Sequence, residues 1–202
     1  MMNQLLRALS FIFHPILMPL LGVVFYFSKT PRFIPEPIVK AKVFSITILT
    51  IALPILLYYL LKTLNRVDSF YLQTTKERLV PLAINIGIIV LILLRVFTLE
   101  EIPELYFFFL GILCSTLCCL ILALFKFKAS IHMIGSAGFF MFAIALAIHF
   151  KININGTVAL MSIILGAIAT SRLHVKAHTP IELIIGFLVG LSPQLLLINW
   201  WL

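Results

Sequence analysis

Apolar runs long enough to cross a bilayer, joined by short polar connections, leave this chain few folds to choose from. A transmembrane helix needs about 20 largely apolar residues. Runs of that kind fall at about 8–28, 43–61, 81–97, 105–125, 133–150, 156–170 and 180–200. Backbone N–H and C=O groups in lipid find no water, so segments apolar on every side must satisfy their own hydrogen bonds as helices. Composition agrees, with 62% of the 202 residues hydrophobic and 11% charged; soluble domains carry about 25% charged residues. The expectation is an all-α integral membrane protein, a bundle of about seven transmembrane helices forming a single membrane domain over 1–202. Pro15 and Pro19 in the first run make a kinked or re-entrant first segment the alternative, which leaves six spans. Arg7 ahead of that run gives it the look of a signal sequence. It is longer than a signal core and lacks a small-x-small cleavage site, so it reads as an uncleaved span.

The net charge of +8 raises nucleic acid as a partner. The Lys and Arg residues are spread over every connection rather than gathered into a block, which fits membrane-flanking cations and excludes a nucleic-acid module. Cys114, Cys118 and Cys119 all lie inside one apolar run, so no disulfide or metal framework is expected from them. Trp200 and Trp201 close the last run as an interfacial anchor.

Polar residues concentrate in three places. Lys76 and Arg78 precede the third run, Ser130 and His132 precede the fifth, and the connection before the last run reads Ser171-Arg172-Leu-His174-Val-Lys176-Ala-His178-Thr-Pro180-Ile-Glu182. Charges beside membrane-depth sequence are expensive unless they are used, at about 2.5–3.5 kcal/mol each on insertion scales. Two runs separate each cluster from the next, so all three emerge on one face of the membrane, whether or not the first run spans.

Lys76, Arg78 and Arg172 supply cations, and arginine forks match phosphate oxygens. Ser130 adds a hydroxyl near a helix start, where anions are favoured. Two histidines suit a nucleophile and an acid, His178 and His132. Glu182, four residues after His178, can fix its tautomer and stabilise the charged ring. This is the chemistry of metal-free phosphoester hydrolysis through a phosphohistidine.

At these residues the chain resembles the type 2 phosphatidic acid phosphatase superfamily, which includes vanadium haloperoxidases and glucose-6-phosphatase. Ser171-Arg172-x5-His178-x3-Glu182 is similar to its third signature, with Glu in place of Asp. Ala129-Ser130-Ile131-His132 resembles Pro-Ser-Gly-His, and Lys76-Glu77-Arg78-Leu79-Val80-Pro81 resembles Lys, six residues, Arg-Pro. Tyr71 stands where that first signature would place its lysine. The resemblance covers about 70–190 and leaves 1–62 as two extra N-terminal helices. It implies His178 as nucleophile, Glu182 as its orienting acid and His132 as general acid. It further implies Lys76, Arg78, Ser130 and Arg172 as phosphate ligands, with no metal and no cofactor. The implied substrate is a lipid mono- or diphosphate such as phosphatidic acid, phosphatidylglycerol phosphate or an isoprenyl diphosphate.

Other readings of the same residues stand beside this one. Thr179-Pro180-Ile181-Glu182 is a capping box, which alone accounts for Glu182. His174, His178 and Glu182 at i, i+4, i+8 would align as metal ligands on a continuous helix, but Pro180 breaks such a helix. A non-catalytic lipid-phosphate binder or carrier of the same fold keeps the anion pocket without turnover. His14, His149, His174 and Lys176 read as packed or interfacial residues.

Nine Lys and Arg flank the site side and six the other. Setting aside the three assigned to phosphate leaves the two sides equal, so the positive-inside rule does not orient the chain. The resemblance implies a bacterial inner-membrane protein with its site on the extracytoplasmic face.

Overall fold

The computed structural model describes residues 11–65 and 74–202. Arg7 and the 66–73 part of the second connection, Tyr71 included, lie outside the described residues. Among the described residues seven apolar helices follow one another: α1 Pro15–Lys29, α2 Glu36–Thr63, α3 Thr75–Arg95, α4 Pro103–Leu124, α5 Ile131–Phe150, α6 Asn155–His174 and α7 Pro180–Trp200. The described residues contain no strand. Helices α2 to α7 are long and apolar enough to cross a membrane, so the chain is an all-α membrane bundle. The first helix is the short one. At 1.5 Å per residue it covers about 22 Å of a core about 30 Å thick.

The shortening has a local cause. Phe11 and Ile12 are helical, Phe13 turns, and His14 is extended at φ −66°, ψ 136°. The Ile16 N–H donates to His14 Nδ1 at 3.3 Å, and Pro15 follows directly, so α1 begins afresh there.

Two boundaries differ from the sequence expectation. Helix α3 starts at Thr75 instead of near Pro81, because the Thr74 hydroxyl accepts the Glu77 N–H at 3.3 Å and caps it. Pro81 then sits inside the helix, and Lys76 and Arg78 lie on its first turn rather than in a loop. Helix α6 continues through Ser171 and Arg172 to His174, four residues beyond the apolar run.

Helix α5 is the axis of the bundle, burying residues from His132 to Leu146. Helix α7 packs against its N-terminal half through Gly186 and Gly190. A Cβ on Gly190 would fall on the Ile134 carbonyl, and one on Gly186 would lie 2.8 Å from the Ser130 carbonyl oxygen. Small residues four apart allow that approach. Val23 and Tyr26 of α1 and Ile46 of α2 join Ile92, Phe108 and Phe142 in one core, so the N-terminal helices share the packing of the rest.

The end of the bundle where α4 starts is closed by an ion pair between a buried carboxylate and an exposed arginine. Glu104, fully buried, meets Arg32 at 2.7 Å, His149 at 3.3 Å and the Tyr26 hydroxyl at 3.4 Å. Trp201 packs edge-on against the His149 ring at 5.3 Å.

Candidate active site

At the other end, the three polar clusters converge on one short segment, Lys128-Ala129-Ser130, between α4 and α5. Each of its residues is held through its backbone. The Lys128 carbonyl accepts from His178 Nδ1 at 3.1 Å. The Ala129 carbonyl accepts from Arg78 Nη1 at 2.7 Å. The Ser130 N–H donates to the Glu182 carbonyl at 3.1 Å. Residues from two other stretches of sequence thus meet on two successive peptide groups of this segment, 128–129 and 129–130.

The fold reaches this arrangement with two like-shaped turns. Helix α4 ends in a left-handed Lys126 (φ 62°), with Lys126 N–H on Ala123 O at 3.0 Å and Phe127 N–H on Leu122 O at 2.8 Å. Helix α6 ends in a left-handed Lys176 (φ 52°), with Lys176 N–H on Leu173 O and Ala177 N–H on Arg172 O, both at 3.0 Å. Both are Schellman turns. Two residues after each left-handed lysine come Lys128 and His178, which bond to one another's segments: Lys128 Nζ also donates to the Ala177 carbonyl at 3.1 Å.

His178 carries an assignable tautomer. Its Nδ1 faces two acceptors, Lys128 O and Glu182 Oε2, each at 3.1 Å. Only a hydrogen on Nδ1 suits both, so the neutral ring leaves its lone pair on Nε2. Burial, and then the Arg78 charge, lower the His178 pKa to about 4, outweighing the opposing pull of Glu182. Near neutral pH the ring is therefore uncharged.

Glu182 does two jobs at once. Its Oε2 takes the Thr179 N–H at 2.9 Å, completing the capping box of α7, and the same oxygen takes the His178 hydrogen. The helix-start reading and the orienting-acid reading of Glu182 are compatible in geometry. The metal reading loses its geometric basis, since α6 stops at His174 and α7 starts at Pro180, so positions 174, 178 and 182 share no helix.

Ser130 is fully buried at the N-cap of α5, yet its hydroxyl caps nothing and has no hydrogen-bond partner among the described residues. Buried polar atoms are nearly always satisfied, and an orphan asks for an explanation such as a ligand. Arg78 and His178 reach the two carbonyls before it, and Arg172 and His132 are buried as well. The charges of Arg78, Arg172 and Glu182 reach Lys128, so these groups form one electrostatic neighbourhood.

Of the seven residues singled out in the sequence, six gather here: Arg78, Ser130, His132, Arg172, His178 and Glu182. Lys76 stays exposed. It lies two positions before Arg78, and residues i and i+2 on a helix do not face the same way. Sequence reading missed two others. Lys128 is half-buried beside His178, while Lys126 is exposed. His14, taken as a packed or interfacial residue, has its ring 5.4 Å from that of His132 in an edge-to-face contact. Its pKa falls to about 4 through burial and then the Arg172 charge. Neither is marked in the sequence: Lys128 depends on the left-handed turn at Lys126, and His14 on α1 lying against the start of α5.

A cavity of about 250 Å³ opens from His14 and Ile131 into the bundle, lined mainly by apolar groups such as Leu57, Ile84, Ile112 and Ile134. Helices α1 to α5 all contribute to its wall. No family model, curated protein or solved structure matches the chain, so the functional argument rests on these residues alone.

Proposed function

We propose that this chain is a membrane lipid phosphatase, a divergent member of the type 2 phosphatidic acid phosphatase superfamily, hydrolysing a lipid mono- or diphosphate without a metal. The carrying observation is the buried, unpartnered Ser130 hydroxyl at a helix N-terminus, on a segment held by Arg78 and His178, two residues before His132 and within reach of the Arg172 charge. That set of donors and cations suits a phosphate dianion. The neighbouring apolar cavity supports a substrate with a hydrocarbon tail.

The reaction follows from the tautomer of His178. Its Nε2 lone pair attacks phosphorus, and the bond from phosphorus to the leaving oxygen breaks as His132 gives that oxygen a proton. The Nδ1–H bonds to Glu182 and Lys128 O hold the ring and stabilise its positive charge in the phosphohistidine. Water then attacks phosphorus, losing a proton to His132, and the P–N bond breaks to release phosphate and restore both histidines. Arg78, Arg172 and Ser130 hold the phosphate oxygens as charge shifts onto them. The site belongs, in this reading, to the extracytoplasmic face of a bacterial inner membrane.

A phosphate-release panel on phosphatidic acid, phosphatidylglycerol phosphate and an isoprenyl diphosphate, run with and without chelator, tests the proposal. Release that survives chelator and falls about 10³-fold or more in His178→Asn is expected. Binding of these lipids without release would mark the chain as a carrier instead.

A further inference from the structure

The pocket contains a cation that none of the three sequence clusters supplied. Lys128 projects from the segment that His178, Arg78 and Glu182 hold, and one hydrogen of its ammonium is committed to the Ala177 carbonyl at 3.1 Å. An ammonium has three donors, so two remain. Burial, and then the charges of Arg78 and Arg172, lower the Lys128 pKa. Lys128 in turn is felt by His178. Three cations are thus drawn together, with Glu182 and Glu77 as the nearby carboxylates, and Glu182 is already bonded to His178 and to the Thr179 N–H. Like charges brought into a partly buried loop repel unless an anion lies among them.

We propose that Lys128 is the third cation of the anion pocket, donating to a phosphate oxygen beside Arg78 and Arg172 in the role that sequence spacing gave to Lys76. The inference rests on the reading of this pocket as a phosphate site, but not on turnover. A purely structural Lys128 would clamp two loops through Ala177 and leave anion affinity untouched.

The test is calorimetric binding of inorganic phosphate to the intact protein in detergent micelles at low salt. Lys128→Gln keeps an N–H donor for the Ala177 carbonyl while removing the charge; Lys126→Gln is the exposed control. Phosphate affinity is expected to fall about tenfold or more in Lys128→Gln and to stay close to wild type in Lys126→Gln. A second measurement uses the unaltered chain: phosphate should protect Lys128, but not Lys126, from acetylation by acetic anhydride, read by mass spectrometry. A folded Lys128→Gln variant that binds phosphate as wild type does, equal labelling of Lys128 with and without phosphate, or a wild type that binds no phosphate overturns the proposal. Phosphate binding that depends on Lys128 in a protein that releases none from lipid phosphates would sink the enzymatic reading and leave this one standing.

Discussion

His178 shows how neighbours set the chemistry of one ring. A histidine in water is half-charged near pH 6.5, and a charged imidazole has no lone pair with which to attack phosphorus. Burial and Arg78 move the pKa to about 4, so the acid limb of kcat/KM is expected near pH 4. Arg78→Gln removes one of the three depressing influences, burial, Arg78 and Lys128, and should move that limb to higher pH, read from a pH–rate profile. A limb near 6.5 in the wild type would contradict the burial argument. The sign for stability is the same: the unfolded chain takes up a proton at His178 between about pH 6.5 and 4 while the folded one does not, so folding weakens as pH falls through that window. At this scale much was legible in the sequence. The spacing from Ser171 to Glu182 identified His178, Arg172 and Glu182, because helix ends convert spacing into position. Lys128 was hidden because its role depends on the turn at Lys126, which puts a non-glycine residue in the left-handed region and so carries no glycine to announce it.

Helices meet in this bundle through glycines whose importance depends on what they face. A methyl on Gly190 would run into the backbone carbonyl of Ile134, which has nowhere to rotate. Gly190→Ala is therefore expected to cost about 1–3 kcal/mol, with a lowered melting temperature in detergent. Activity should fall with it, since α5 carries Ser130 and His132. Gly166 on α6 has open space around the same position, so Gly166→Ala should be neutral or stabilising by up to about 1 kcal/mol from helix propensity. Equal effects of the two substitutions would show that the α5–α7 contact is looser than described. The number and order of the helices were readable from hydropathy, but their ends were not. Thr74 lengthens α3 by one capping bond, and α6 carries on past its apolar run because Ser171 and Arg172 are buried against the bundle instead of ending in water.

Among the described residues, the charged side chains gather at the two ends of the bundle and serve different purposes, with only neutral polar groups such as Ser115, Thr116 and Gln194 between them. At the far end Glu104 is tied to Arg32, His149 and Tyr26. Arg32 keeps 46% of its side chain exposed, so it can hydrate when its partner is lost, and Glu104→Gln is expected to cost about 1–3 kcal/mol. Phosphate release per folded molecule should be unchanged in that variant; a specific loss of turnover would tie the far end to the chemistry. Counting runs put the three polar clusters on one side, and the structure brings Arg78, Ser130, His178 and Glu182 to one end of the bundle, because parity needs no knowledge of packing. That His14 joins them from outside the clusters was illegible, since the contact arises only where α1 lies against the start of α5.

Apart from the Ser130 carbonyl, which accepts the Ile134 N–H at 2.9 Å, the backbone of Lys128–Ser130 takes its shape from His178, Arg78 and Glu182. In the proposed reaction, reagents and scaffolding are therefore the same atoms. A substitution meant to silence the chemistry also removes a strut from the wall that receives the substrate, and a bound anion gripping the same arginine should stiffen that wall in return. Amide exchange at positions 128–130 ought to slow when phosphate is added and quicken in Arg78→Gln, so a chain built this way signals occupancy through the rigidity of a single turn.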